Sequence, residues 1–409
     1  MNSNVSLPKM GYLVSTYPAI SHTFILREIQ HLRSDGWQVV SASVNQPDRS
    51  LAQMDVYERL EAESTYGIKA DGVRGALKAA WWAFSHYGLG TVKMMASAWG
   101  LGGSVKPWKG IAYAVEALMV ARWMSQQGVR HLHVHFGNAG ATVGLLTKRL
   151  NQCHLSLTIH GPDEFDDVPG QHLALKMKEA DAVICISQFA RSQLMRISDS
   201  DHWHKMQVCR LGVDPAQFAF RTRATSDVVQ MLCVGRLTPA KCQVLLVQAC
   251  AQLRDAGLFF HLKMVGAGPD RARIEREVVL YDLQSHITMT GALNQQEVKQ
   301  AFAQADVFVL SSLAEGIPVV LMEAMCSGVP CVTTPVNGIP ELIEHGVSGL
   351  LATPGDVESL TAQLQRMLGS SDLRQSLANA ARDKVTTHFD LAKNVRQLGG
   401  LLQKFPRNA

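Results

Sequence analysis

At 409 residues, 47% hydrophobic and 18% charged, the chain is too long for one ordinary core and too apolar to be disordered, so two domains of roughly 200 residues are expected. The formal charge is only +4, MNSNVSLPKM is polar rather than a signal peptide, and no uncharged apolar run approaches the ~18 residues of a membrane-spanning helix. Eight cysteines (Cys153, Cys185, Cys209, Cys233, Cys242, Cys250, Cys326 and Cys331) form no CxxC pair and recur in runs such as VICIS and MLCVG, the pattern of buried, reduced thiols in a cytoplasmic protein.

MGYLVST reads as a strand, SHTFILREIQHLRSDG as a helix ending at Gly36, and WQVVSASV as the next strand. Residues 70–128 are mostly helical, broken at glycines and Pro107. Three further strands follow: HLHVHF, then a helix from Asn138; LSLTIH, then a short helix near 171; and AVICIS, then the helix QFARSQLMRI. The second half restarts the alternation with VVQMLCVG, a helix after Lys241, FFHLKMVG, a helix from Pro269, HITMTG, a helix over 294–304, DVFVLSS, PCVTT, and helices from Asp356 on. Short β-branched runs alternating with amphipathic helices predict an α/β fold of two doubly wound domains, 1–212 and 213–389, with LGVDPAQFAFRTRATSD (211–227) as linker. Such domains facing across a cleft would bring their strand ends, and a ligand, into it.

Charge is unevenly spread. From Ser64 to Gly161 there are ten basic residues against two acids, a local excess of +8, interleaved with WWAF, SAWG, KPWKG and RWM. An anionic membrane surface is one partner this suggests; the plain alternative is helices with aromatic core faces and solvated basic faces.

AEGIPVVLMEAMCSGVP (314–330) carries Glu315 and Glu323, the second amid apolar residues, where a carboxylate needs a partner. Glu315 lies in the loop beyond DVFVLSS, and Pro318 stands at the first turn of a helix that runs to Gly328. The backbone of Gly316, Ile317, Pro318 and Val319 is then an anion site at a helix start. An acid beside an anion site suits a ligand with hydroxyls next to its phosphates, such as a sugar or ribose diol. In VGRLTPAKC, Arg236 and Lys241 follow a strand in the same sheet and would neutralise a diphosphate. LTIHGPDEF sets His160 at a strand end in the other domain, where it and Gly161 would face a transferred group.

GRLTPAK, VGAGPDRARIE, MTGAL, ADVFVLSSLAEGIPVVLMEAMCSGVPCVTT and NGIPELIEHGVSGLL together resemble the retaining glycosyltransferases of the GT-B fold, specifically glycosyltransferase family 4. TIHGPD, ICISQFARSQL, LGVDP and YPAISHTFILREIQHL extend the likeness to the first half and to the branch that builds bacterial exopolysaccharides. The resemblance implies that Glu315 contacts donor-sugar hydroxyls and Glu323 the ribose. Arg236, Lys241 and the backbone of Gly316 to Val319 would hold the diphosphate, and His160 would sit near the anomeric carbon or the sugar 6-hydroxyl. It implies a UDP- or GDP-sugar donor, a glycan or lipid-linked acceptor, no metal, and a terminal helix within 390–409 that crosses back to the first domain. Two departures stand out: Cys242 replaces the usual glycine after Lys241, and YPAISHT replaces paired glycines after the first strand. A nucleotide-sugar epimerase or hydrolase of the same fold, and a non-catalytic nucleotide-sugar-binding scaffold, are the alternatives.

Other features weigh less. Gly266 and Gly268 in VGAGPD suit any parallel sheet. His131, His133 and His135 share one strand face but have no carboxylate or cysteine evident around them, and Asp199, Asp201, His202 and His204 of SDSDHWH fall in a polar loop, so no metal site is expected. No GxGxxG follows the first strand, against a dinucleotide oxidoreductase.

Overall fold

The computed structural model describes residues 7, 9–19, 22–102, 106, 108–220 and 228–404. The chain divides into two compact units, one holding the residues up to Arg210 together with those from Ala392 on, the other Leu211–Leu391. Of the expected linker, residues 221–227 lie outside the described residues, as do Ile20 and Ser21 of the YPAISHT loop and the helix-breaking Pro107.

Unit 1 holds β1 (Lys9–Thr16), β2 (Gln38–Asn45), β3 (Tyr66–Gly67), β4 (His131–His135), β5 (His154–Ile159), β6 (Ala182–Cys185) and β7 (Met206–Val208). They form one parallel sheet in the order β3-β2-β1-β4-β5-β6-β7. Unit 2 holds β8 (Val229–Val234), β9 (Phe260–Val265), β10 (Ile287–Gly291), β11 (Val307–Leu310), β12 (Cys331–Thr333) and β13 (Leu350–Leu351), again parallel, in the order β10-β9-β8-β11-β12-β13. In each sheet the winding reverses beside the first strand, at β1/β4 and at β8/β11. Ligands of open α/β sheets bind beyond the strand ends at such a reversal. The short edge strands β3, β7 and β13 escape the sequence reading because two or three residues carry no periodicity.

Each sheet builds its own core. Leu13, Val134 and Leu157 are buried in unit 1, and Met231, Val309 and Leu246 in unit 2. Strands covered on both faces need apolar residues at every position, which is why VFVL of β11 is buried throughout. The last helix, Leu391–Leu402, packs within unit 1: the Cys209 thiol donates to Asn394 O (3.3 Å), and Gly399 lies against the Trp37 indole, where a Cβ would come 3.2 Å from Nε1. All eight cysteines are free thiols, and burial raises that of Cys185 to about 12. Among the described residues no helix is long and apolar enough to cross a membrane.

Gly266 and Gly268 have a structural task. Gly266 sits at φ +148°, and a Cβ there would lie 1.9 Å from Gly235 O; one on Gly268 would lie 2.2 Å from Leu237 O. The missing side chains let the loop after β9 close on the loop after β8.

The aromatic helices of unit 1 split between the two expected faces. Trp123 is buried, whereas Trp81 is 78% exposed, so aromatic residues are not all core. The basic excess shrinks in the folded chain, because Lys148 pairs with Asp181 (2.6 Å) and Arg149 with Glu179, both acids outside the counted stretch.

Candidate active site

At the unit 2 reversal, two loops are tied together. Beyond β8, Pro239–Lys241 forms a single 3-10 turn and Cys242 caps the helix Gln243–Asp255. Cys242 takes φ +47°, the left-handed region that favours glycine. The backbone conformation of a glycine is therefore kept without the glycine. Beyond β11, Ser311 Oγ donates to Lys241 O (3.2 Å) and Cys242 O (3.0 Å), while Leu313 N–H donates to Ala240 O (2.7 Å).

This stitching sets Lys241 Nζ directly against Glu315 Oε1, which also accepts from Ser312 Oγ at 2.6 Å. Glu315 is buried, and the ammonium and hydroxyl supply the partners that a buried carboxylate requires. The sequence reading gave Lys241 and Glu315 separate tasks; the fold makes them one ion pair. Arg236 is at the base of the same loop, its side chain exposed and in no ion pair among the described residues, and its carbonyl accepts from Gln243 Nε2 (2.8 Å).

Gly316 and Ile317 lead to Pro318, which is the N-cap of the helix Val319–Cys326 rather than a residue of its first turn. Proline offers no side-chain cap, which leaves the helix start suited to an anion. Glu323 is half-buried on this helix, its carbonyl accepting from the Ser327 N–H and hydroxyl. Ser311 and Ser312, missed in the sequence, are legible in hindsight as two hydroxyls closing the apolar strand DVFVL.

In unit 1, His160 follows β5 and is buried, ringed by Phe136 (centroids 4.4 Å apart) and Phe24 (4.9 Å). Burial, then His135 and His22, hold its imidazole well below the usual histidine range, so it is neutral at neutral pH. Its backbone N–H and that of Gly161 donate to Glu164 Oε2 (2.6 and 2.8 Å), and Gly137 N–H donates to Glu164 Oε1. Lys176 Nζ donates to Gly137 O (2.8 Å) and Asn138 O (2.9 Å). Burial raises the Glu164 carboxyl and lowers the Lys176 ammonium. This buried pair braces the loops after β4 and β5.

The histidines of β4 are not bare of acid, contrary to the sequence reading. The helix Thr23–Ser34 places Glu28 Oε1 3.1 Å from His135 Nε2. Glu28 and Lys176 were missed, yet each stands on its helix's apolar stripe: Ile25, Glu28, Ile29, Leu32 and Leu173, Lys176, Met177 are all buried. A charge at a core position of the helical period is a signal for a buried partner. In the SDSDHWH stretch, Asp199 instead caps a 3-10 helix by accepting from Asp201 N–H (3.1 Å).

Two parallel doubly wound units, one with a cation–carboxylate pair beside an uncapped helix at its reversal, are the arrangement that the resemblance to GT-B glycosyltransferases implies. Comparison with known proteins narrows this. The profile described as Glycosyl transferases group 1 matches residues 216–384, and that described as Glycosyltransferase Family 4 matches residues 103–217. The amylovoran biosynthesis glycosyltransferase AmsK of Erwinia amylovora is 29% identical over 97% of this chain and 99% of its own. The putative colanic acid biosynthesis glycosyltransferase WcaL of Escherichia coli K12 is 31% identical, over 66% of this chain and 69% of its own. A crystal structure of Anabaena HepE in complex with UDP and glucose shares the fold, with TM-score 0.73 at 17% identity, covering 97% of this chain and 100% of that one. The chain belongs to glycosyltransferase family 4.

Proposed function

We propose that the protein transfers a sugar, with retention of anomeric configuration, from a UDP- or GDP-sugar to a hydroxyl of a glycan or lipid-linked acceptor in bacterial surface-polysaccharide assembly. The observation that carries this is the Lys241–Glu315 pair beside Arg236 at the unit 2 reversal. Relatives named for amylovoran and colanic acid biosynthesis support the pathway class. Arg236, Lys241 and the backbone N–H groups of Gly316, Ile317 and Val319, with Pro318 fixing the turn between them, hold the diphosphate and offset the charge that grows as it departs, the task a divalent metal performs elsewhere. Lys241 has three N–H donors, enough to keep Glu315 and reach a phosphate oxygen. Glu315 accepts from hydroxyls of the sugar, Glu323 from the ribose, and His160 meets the transferred group. The anomeric C–O bond to phosphate breaks as the acceptor oxygen bonds to the same face, and the acceptor proton passes to the departing phosphate.

A thermal-shift panel of UDP-glucose, UDP-galactose, UDP-N-acetylglucosamine, GDP-mannose and GDP-fucose tests the donor site. A hundredfold excess over Kd stabilises by about 2.7 kcal/mol, and Glu323→Ala should weaken the response. Stabilisation by none of the five sinks the reading. Donor consumption without acceptor would favour an epimerase or hydrolase, and binding without turnover of any sugar a scaffold.

We also propose that unit 1 docks on an anionic membrane from the cytoplasmic side. On the helix Gly72–Tyr87, Val73, Leu77, Trp81 and Phe84 form one exposed apolar stripe beside exposed Arg74 and Lys78. Buried apolar contact plus attraction to acidic headgroups is the chemistry of an interfacial helix. Co-sedimentation with phosphatidylglycerol vesicles should exceed that with phosphatidylcholine, and Trp81→Glu should reduce it at least tenfold. Lipid-independent self-association that Trp81→Glu abolishes would assign the stripe to a second copy instead.

A further inference from the structure

The buried histidines of unit 1 use their nitrogens differently. His133 meets hydroxyls on both sides, Ser156 at Nδ1 (2.7 Å) and Thr158 at Nε2 (3.0 Å). His135 stands between a carboxylate and a second imidazole, with Nε2 3.1 Å from Glu28 Oε1 and Nδ1 2.9 Å from His160 Nε2. Ligand-type atoms of Glu28, His133 and His135 lie within 4.8 Å of one another. Each of those ring nitrogens already has a protein partner, so the geometry is a hydrogen-bonded chain rather than an ion's ligand set.

The direction of that chain follows from what each atom can donate. Glu28 Oε1 accepts a hydrogen bond from the Tyr12 hydroxyl at 2.7 Å, and an oxygen that accepts there meets His135 Nε2 as an acceptor too. His135 therefore carries a proton on Nε2. A ring with its single proton on Nε2 has only a lone pair on Nδ1, so in that tautomer the proton shared with His160 belongs to His160 Nε2. The remaining nitrogen, His160 Nδ1, makes no hydrogen bond among the described residues and is left as a bare acceptor.

We propose that Glu28 and His135 are positioning residues: they hold His160 with its proton on Nε2, shared with His135, and its lone pair on the unpartnered Nδ1, ready to accept from a hydroxyl of the transferred sugar. This rests on the reading above that His160 meets the transferred group. A lone pair on Nδ1 welcomes a hydroxyl and repels a phosphate oxygen, so the tautomer decides which part of the donor can lie against the ring. The opposite tautomer would offer an N–H and reverse that choice. Phe24 and Phe136 hold the plane of the ring while the relay sets its protons.

The test begins with the wild-type full chain labelled with 15N-histidine, where two-bond correlations report each tautomer. His160 should show a protonated Nε2 and a bare Nδ1; the reverse overturns the proposal without any variant. Glu28→Gln keeps the side-chain volume but can donate to His135 Nε2, which turns the chain around. It should move the His160 proton to Nδ1 and lower kcat by about 10–100-fold, with KM changed much less, for whichever sugar nucleotide of the panel stabilises the protein most. An unchanged tautomer and unchanged kcat in Glu28→Gln overturn the relay. His160→Ala separates the two readings. Lost turnover there, with wild-type behaviour of Glu28→Gln, sinks the relay alone, whereas normal turnover in His160→Ala removes the sugar contact and the proposal with it.

Discussion

The two units wind their sheets alike and furnish the reversal in opposite ways. In unit 2 the loops after β8 and β11 meet through a full ion pair, Lys241 with Glu315, backed by the Ser312 hydroxyl. In unit 1 all four of the buried histidines among the described residues, His131, His133, His135 and His160, gather on β4 and after β5, with Glu28 behind them. The same backbone plan thus yields one reversal closed by an ion pair at the strand ends and one with a run of buried imidazoles in β4 and after β5, beside the Glu164 and Lys176 that brace its loops. Topology decides where a site lies; the few side chains past the strand ends decide what it can bind.

The largest effect that can break this contrast is Lys241→Ala. If the charged reversal meets the diphosphate, steady-state turnover should fall by about 10²–10³, a transition-state loss of about 3–4 kcal/mol. Turnover near wild type would mean that the ion pair merely braces two loops.

Acid should sharpen the contrast next. Burial holds His131 at about 4, below its ordinary 6.5, and holds His133 and His160 well below the ordinary value too. Between pH 6.5 and 4 the unfolded chain therefore binds more protons than the folded one. The stability these groups contribute is present above pH 6.5 and is lost as pH falls, by a few kcal/mol. Glu164, raised to about 7, works the other way, its contribution being lost as pH rises, and so blunts the slope. Hydrogen exchange read unit by unit should show unit 1 loosening first on acidification, and equal loss in both units would erase the distinction.

The smallest expected effect concerns Cys242. Glycine there relieves the left-handed strain but gains freedom in the unfolded chain, so Cys242→Gly should shift stability by less than about 1 kcal/mol and preserve turnover. A large loss in denaturant melts would show that the thiol itself supports the phosphate loop.

Much of unit 2 was legible because its signals are local. DVFVLSS followed by AEGIP and a helix closed at Gly328 places Glu315 at a strand end without any long-range knowledge. The Lys241–Glu315 contact spans 74 positions, and no local pattern announces it. Unit 1 was harder for the same reason. Glu28 and His135 are separated by 107 positions, and only the placing of the helix Thr23–Ser34 against the sheet makes them neighbours. The stripe on Gly72–Tyr87 was ambiguous for another reason, since an apolar face reads alike whether it is buried or bare.

Periodicity and turn residues, which act over a few positions, determined the α/β class, most strand and helix identities, and the strand-end location of Glu315, Arg236, Lys241 and His160. The tertiary structure alone decided which of these touch, that Glu28 stands behind His135, and that Trp81 faces outward. Hydrogen bonds and ion pairs act over about 3 Å, and only the packing of distant segments brings such partners within reach.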